Sequence, residues 1–66
     1  MRETENMNNG ELIKNTIEEF SRIQSYMMAC DKEAQVYKML RSRYLELKTI
    51  LSALSVNIVE LDYIKE

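Results

Sequence analysis

A heptad repeat between Val36 and Leu61 constrains the fold of this 66-residue chain more than any other feature. Leucine recurs every seven residues, and an aromatic or aliphatic residue stands three positions before each leucine. These are the a and d positions of a coiled-coil register, with leucine at d. The repeat therefore predicts a long helix with one side covered by another helix. Its eight positions are Tyr37, Leu40, Tyr44, Leu47, Leu51, Leu54, Ile58 and Leu61.

The apolar stripe of this helix is wider than a two-stranded zipper requires. Two of its g positions are Val36 and Ile50, where zippers place charged residues. A wide stripe favours a helix that packs in a hairpin or bundle. A zipper that binds DNA also needs a basic region before the heptads, whereas residues 11–31 are amphipathic and carry four acids.

A second amphipathic helix is predicted upstream, beginning near residue 10 and running for about 18 to 20 residues. Residues 1–9 are polar and predict a flexible lead, in which Asn8 or Asn9 supplies the helix cap. The helix needs a partner, because its apolar residues recur at steps of three and four. They are Ile13, Ile17, Phe20, Ile23 and Met27, with Leu12 and Met28 widening the stripe.

The two helices are joined near Cys30–Lys32, with Asp31 as the expected cap of the second helix and Glu33 in its first turn. So short a connection makes the helices antiparallel neighbours. One continuous helix through Ala29–Ala34 is the alternative, since no glycine or proline interrupts this stretch. The hairpin is preferred because a small chain gains little by leaving both apolar stripes uncovered.

The second helix is expected to reach about residue 54 or beyond, which is longer than the first helix can cover. A break would fall at Ser55–Asn57, after which Asn57 and Glu60 could cap a short third helix. The expected fold is thus one all-α domain over residues 10–66, an antiparallel two-helix hairpin with a possible short third helix. We expect it to associate into a coiled coil or bundle with a partner or with itself.

Residues 56–64 are apolar on more than one face, which predicts either an interaction surface or packing on the N-terminal end of the first helix. Lys38, Arg41 and Lys48 align along one flank of the second helix. They are expected to pair with acids of the first helix or to contact an acidic partner. The predicted partner-binding residues are Tyr37, Tyr44, Leu51, Leu54, Ile58, Leu61, Tyr63 and Ile64.

The composition argues against a catalytic or metal-binding function for this chain. It has no histidine and only one cysteine, Cys30, so we expect no catalytic site, metal or cofactor. Its net charge of −2 argues against nucleic-acid binding, and no apolar run approaches the roughly 20 residues that span a bilayer. The interpretation is a cytoplasmic protein that is not an enzyme.

The second helix opens with Ala34–Tyr37 and continues with Lys38–Leu40, followed by apolar residues at Leu47, Ile50, Leu51 and Leu54. Over about residues 12–54 this layout resembles the YscE-type small co-chaperones of type III secretion systems. The resemblance implies a helical hairpin that docks on a larger helical-repeat chaperone and, with it, keeps the needle subunit soluble.

The expected function is therefore a helical protein-interaction module, a small co-chaperone or adaptor that docks its apolar faces on a larger protein. A small phage or mobile-element regulator is the alternative. Such a protein would self-associate and would inhibit or recruit a replication or transcription factor.

Overall fold

The computed structural model describes residues 9–66, which form an antiparallel hairpin of helices α1 (Asn9–Ala29) and α2 (Gln35–Ala53). No strand occurs within this part of the chain. The all-α hairpin is thereby confirmed, and the continuous-helix alternative is wrong. Residues 1–8 of the predicted flexible lead, including the predicted cap at Asn8, lie outside the described residues. Asn9, the alternative cap, is the first residue of α1.

The connection between the helices differs from the prediction in its capping. The Asp31 carboxylate accepts the Glu33 amide at 2.9 Å, and the Asp31 carbonyl accepts the Ala34 amide at 3.0 Å. Asp31 is therefore used inside the turn, as aspartate commonly is. The residue before α2 is Ala34, which is extended and makes no side-chain cap. The expectations that Asp31 caps α2 and that Glu33 lies in its first turn were wrong.

The break expected at Ser55 is present, and its hydrogen bonds explain how α2 ends. The Val56 amide reaches back to the Leu51 carbonyl at 2.9 Å, and the Ser55 amide reaches the Ser52 carbonyl at 3.0 Å. This pair of bonds is the Schellman motif, which requires a left-handed residue after the last helical turn. Ser55 takes that conformation with φ of 65°. Glycine usually fills this position because a side chain is sterically disfavoured there.

Beyond α2 the chain turns back over the hairpin, and we call residues 54–66 the return segment. The amides of Leu61 and Asp62 both bond to the Ile58 carbonyl at 3.0 Å, which makes one turn in place of the possible third helix. The return segment packs on the second half of α1, where Gln24 lies, and not on its N-terminal end, which was one of the two alternatives. Its apolar residues cover the hairpin core and are Val56, Ile58, Leu61 and Ile64.

The core lies in the groove between the two helices, under the return segment. Phe20 of α1 stacks on Tyr44 of α2 with ring centroids 5.5 Å apart and planes 8° from parallel. Two polar side chains of α1, Thr16 and Gln24, are buried beside them, and Asp62 of the return segment is buried as well. The buried apolar residues are Phe20, Met27, Tyr37, Tyr44, Leu47 and Leu51.

Candidate interaction surfaces

The return segment is held on α1 by the fully buried side chain of Gln24. Its amide nitrogen donates to the Leu61 carbonyl at 2.8 Å and makes a longer bond of 3.4 Å to the Phe20 carbonyl. Its amide oxygen accepts the backbone amides of Tyr63 at 2.5 Å and of Ile64 at 3.1 Å. One side chain thus satisfies three backbone groups of a segment that has almost no regular structure of its own.

On α2 the return segment is held by a polar network centred on Tyr44. The Tyr44 hydroxyl donates to Asp62 Oδ1 at 2.6 Å and accepts the Glu66 amide at 2.9 Å. Lys48 Nζ lies 3.1 Å from Asp62 Oδ2 and donates to the Glu66 carbonyl at 2.7 Å. The same ammonium lies 5.2 Å from the centroid of the Tyr44 ring, within the range of a cation–π contact.

This network shifts the pKa values of its members. Burial and the bond to the Asp62 carboxylate raise the pKa of the Tyr44 hydroxyl. Burial alone would raise the pKa of Asp62, but the bonds from Tyr44, the Lys65 amide and Lys48 outweigh it and lower that pKa. Burial likewise disfavours the charged form of Lys48, yet the bond to Asp62 leaves its pKa raised. The charged pair is therefore stabilised by the fold.

Two of the three predicted cationic contact residues bind acids of the chain itself. Lys48 pairs with Asp62, and Arg41 Nε donates to Glu66 Oε1 at 2.5 Å. These acids belong to the return segment and not to α1. The guanidinium of Arg41 lowers the pKa of the Glu66 carboxyl by hydrogen bonding. Lys38, the third predicted contact, is exposed on α2.

The opposite flank of the hairpin carries an ion pair that joins α1 and α2. Arg43 Nε and Nη2 bond to the two carboxylate oxygens of Glu19 at 2.8 and 2.9 Å, and Nη1 reaches Glu46 at 3.0 Å. The bidentate pair crosses from α2 to α1 beside a shallow groove of about 280 Å³. A pairing across the groove was expected for the basic residues of α2, and Arg43 makes it.

The structure places the predicted partner-binding residues in three environments. Tyr37, Tyr44 and Leu51 belong to the core of the chain itself and present no free surface, because the return segment lies over them. Tyr63 is exposed. Four others are half-buried: Leu54, Ile58, Leu61 and Ile64. As a site for a second protein, most of the predicted set is already occupied in this structure.

A different apolar surface surrounds the connection between the helices, and the sequence patterns did not single it out. Among residues 9–66, five of the six large exposed hydrophobic residues lie near this connection, and we call them the loop-end surface. Its members are Tyr26 (51% exposed), Met28 (63%), Val36 (48%), Met39 (65%) and Tyr63 (60%).

The loop-end surface adjoins a groove. The groove encloses about 350 Å³ and is lined by Met28 and Tyr63 of that surface and by the half-buried Cys30. In the sequence, Tyr26 and Met39 are large apolar residues that lie off the predicted apolar stripes of their helices. They could only have been recognised as exposed once the hairpin register was known.

No family model matches the sequence, and neither a curated protein nor a solved structure shows significant similarity to it. Within residues 9–66 no cluster of three histidine, cysteine, aspartate or glutamate side chains could hold a metal ion. Neither described helix has the length and apolar character needed to cross a membrane. Functional interpretation therefore rests on the geometry of the surfaces above.

Proposed function

We propose that this chain is a non-enzymatic protein-interaction module, a small co-chaperone or adaptor that docks on a larger protein through its loop-end surface. The observation that carries this proposal is the concentration of exposed apolar side chains around the helix connection. The return segment covers most of the apolar core between the helices. Met28 and Tyr63 line one groove beside the connection, and contiguous exposed apolar residues commonly mark an interaction site.

The energy available at this surface indicates the kind of partner. Fully burying an exposed side chain of this size contributes about 1.5 to 3 kcal/mol, and these residues are already about half covered. The five together therefore offer about 4 to 8 kcal/mol. A micromolar complex needs a net of about 8 kcal/mol after the cost of association. The partner must therefore supply an apolar groove and further contacts along α1 or α2.

A helical-repeat chaperone presents a concave surface of this kind, and it is the partner that the resemblance of residues 12–54 implies. The hairpin fold supports the proposal because the resembled co-chaperones are hairpins. Exposed Lys38 lies on α2 one residue from Met39. It is placed to contact an acidic rim beside such a groove.

The test is co-expression of the full chain with candidate larger proteins encoded beside its gene, followed by measurement of complex mass by light scattering. Met39→Asp should abolish a stoichiometric complex, because it places a charge in the docking surface. Val59→Asp is the matched control, since Val59 is 71% exposed but lies outside that surface. It should leave the complex intact.

Equal effects of the two substitutions would contradict the docking surface proposed here. A chain that binds no neighbour but forms a concentration-dependent dimer lost in Met39→Asp would instead favour the self-associating regulator.

A further inference from the structure

We propose that the return segment is exchangeable between copies, so that two chains form a dimer in which residues 56–66 of each lie in the groove of the other. The groove between α1 and α2 would then recognise this segment in trans as it does within one chain. This self-association uses the groove under the return segment, whereas docking uses the loop-end surface; Tyr63 belongs to both the return segment and that surface.

The hinge for such an exchange is Ser55. Its φ of 65° is required only while the chain reverses direction after α2. A residue other than glycine is disfavoured in this region, so the closed form carries local strain at Ser55. In the exchanged form the chain continues outward from α2, and Ser55 can return to an extended or helical conformation.

The return segment can also transfer without losing its bonds to Gln24 and Tyr44; only the two backbone bonds that end α2 are lost. Its anchoring bonds reach Gln24 and Tyr44, which are 18 or more residues away along the chain, and all of them use side chains of the hairpin. The segment contributes little regular structure of its own beyond one turn. Every one of these bonds can therefore form equally well with the groove of a second copy, which is the condition for exchange of an element.

Detaching the return segment leaves the stacked pair of Phe20 and Tyr44 without its cover. Both the bare groove and the free segment are then satisfied by a second open chain.

The first test changes the hinge in the full chain and measures mass by light scattering over a range of concentrations. Ser55→Pro cannot adopt a positive φ, because the ring fixes φ near −65°. This variant should retain its helicity and dimerise at a concentration at least about tenfold lower than the parent. Ser55→Gly removes the strain of the closed form and should stay monomeric to a concentration about tenfold higher than the parent. A Ser55→Pro variant that remains a helical monomer would overturn the proposal.

The second test does not depend on the hinge. One chain carries Arg41→Glu with Lys48→Glu, and the other carries Asp62→Lys with Glu66→Lys, so each chain repels its own return segment. Only exchange between the two chains restores opposite charges at both grooves. Met39→Asp is included in both chains to remove association through the loop-end surface.

An equimolar mixture should form a one-to-one dimer, whereas each chain alone should not dimerise. Native mass spectrometry distinguishes the heterodimer from either homodimer. A mixture that stays monomeric or unfolded at the concentration where Ser55→Pro was tested would rule the exchange out.

Discussion

Replacing Gln24 with methionine tests whether one buried amide holds the return segment in place. Methionine has nearly the same length and can fill the site, but it offers neither the donor for the Leu61 carbonyl nor the acceptor for the Tyr63 and Ile64 amides. Three backbone groups lose their partners. A buried polar group without a partner costs about 1 to 3 kcal/mol, and the lower figure applies because these bonds are only partly buried.

The expected loss in the free energy of unfolding is thus about 3 kcal/mol. The return segment limits the loss, since it can detach and rehydrate its backbone once docking is no longer favourable. The loss is nonetheless a large share of the total, because a chain of 66 residues has about 3 to 10 kcal/mol of stability. Urea unfolding followed by circular dichroism measures it, and hydrogen exchange at the Tyr63 and Ile64 amides reports the detachment directly.

Ser25→Ala provides the matched control on the same helix. The Ser25 hydroxyl is exposed and bonds only to the Ser21 carbonyl, so its removal should change stability by less than about 0.5 kcal/mol. The reasoning is refuted if Gln24→Met stays within about 0.5 kcal/mol of the parent and its Tyr63 and Ile64 amides exchange no faster.

Three further predictions concern the core and its polar network. Because folding lowers the pKa of Asp62 from 3.8, its contribution to the free energy of unfolding is present above that pH and is lost as the pH falls through the folded value. Urea unfolding at about pH 6 and about pH 3 should show this loss, and Asp62→Asn should reduce it. Tyr44→Phe keeps the ring but removes a bond to a carboxylate, so it should cost about 1.5 to 3 kcal/mol near neutral pH by thermal or urea unfolding. Tyr44→Phe should also weaken the decline in stability above about pH 10. Folding raises the pKa of the Tyr44 hydroxyl, so the stabilisation it provides is lost as the pH rises through the pKa of the folded state. Leu47→Asp places a charge at a site that is 1% exposed and should unfold the chain, whereas Met39→Asp at an exposed site should retain full helicity by circular dichroism.

The heptad pattern predicted the buried side of α2 well. Tyr37, Tyr44, Leu47 and Leu51 are all a or d positions, and all are buried. Leu40 is only half-buried. It packs against the edge of the hairpin core.

The pattern on α1 was less informative, because hydropathy does not identify buried polar residues. Gln24 is fully buried, and its partners lie 37 to 40 residues away in the return segment. Nothing local to α1 indicates that these bonds exist. Met28, which was counted in the apolar stripe, is exposed.

The return segment shows a different limit of prediction. Its apolar residues indicated correctly that it needs a cover, and the weak helix formers at Ser55–Asn57 indicated where α2 ends. They could not indicate which face would supply the cover, because that choice depends on side-chain bonds from Gln24 and Tyr44. The loop-end surface could not be predicted either, because the exposure of its residues depends on the register of the hairpin.

The way the return segment is anchored fixes an order of folding events. Its bonds to the hairpin require Gln24 of α1 and Tyr44 of α2 to stand on the same side of a groove that exists only after the helices have paired. The helices can pair early, since their connection is short and the contacts near it are local. Docking of the return segment is then the last step of folding and the first step of unfolding. Synthesis runs in the same direction, because α1 and α2 are made before the return segment that covers Tyr37 and Tyr44.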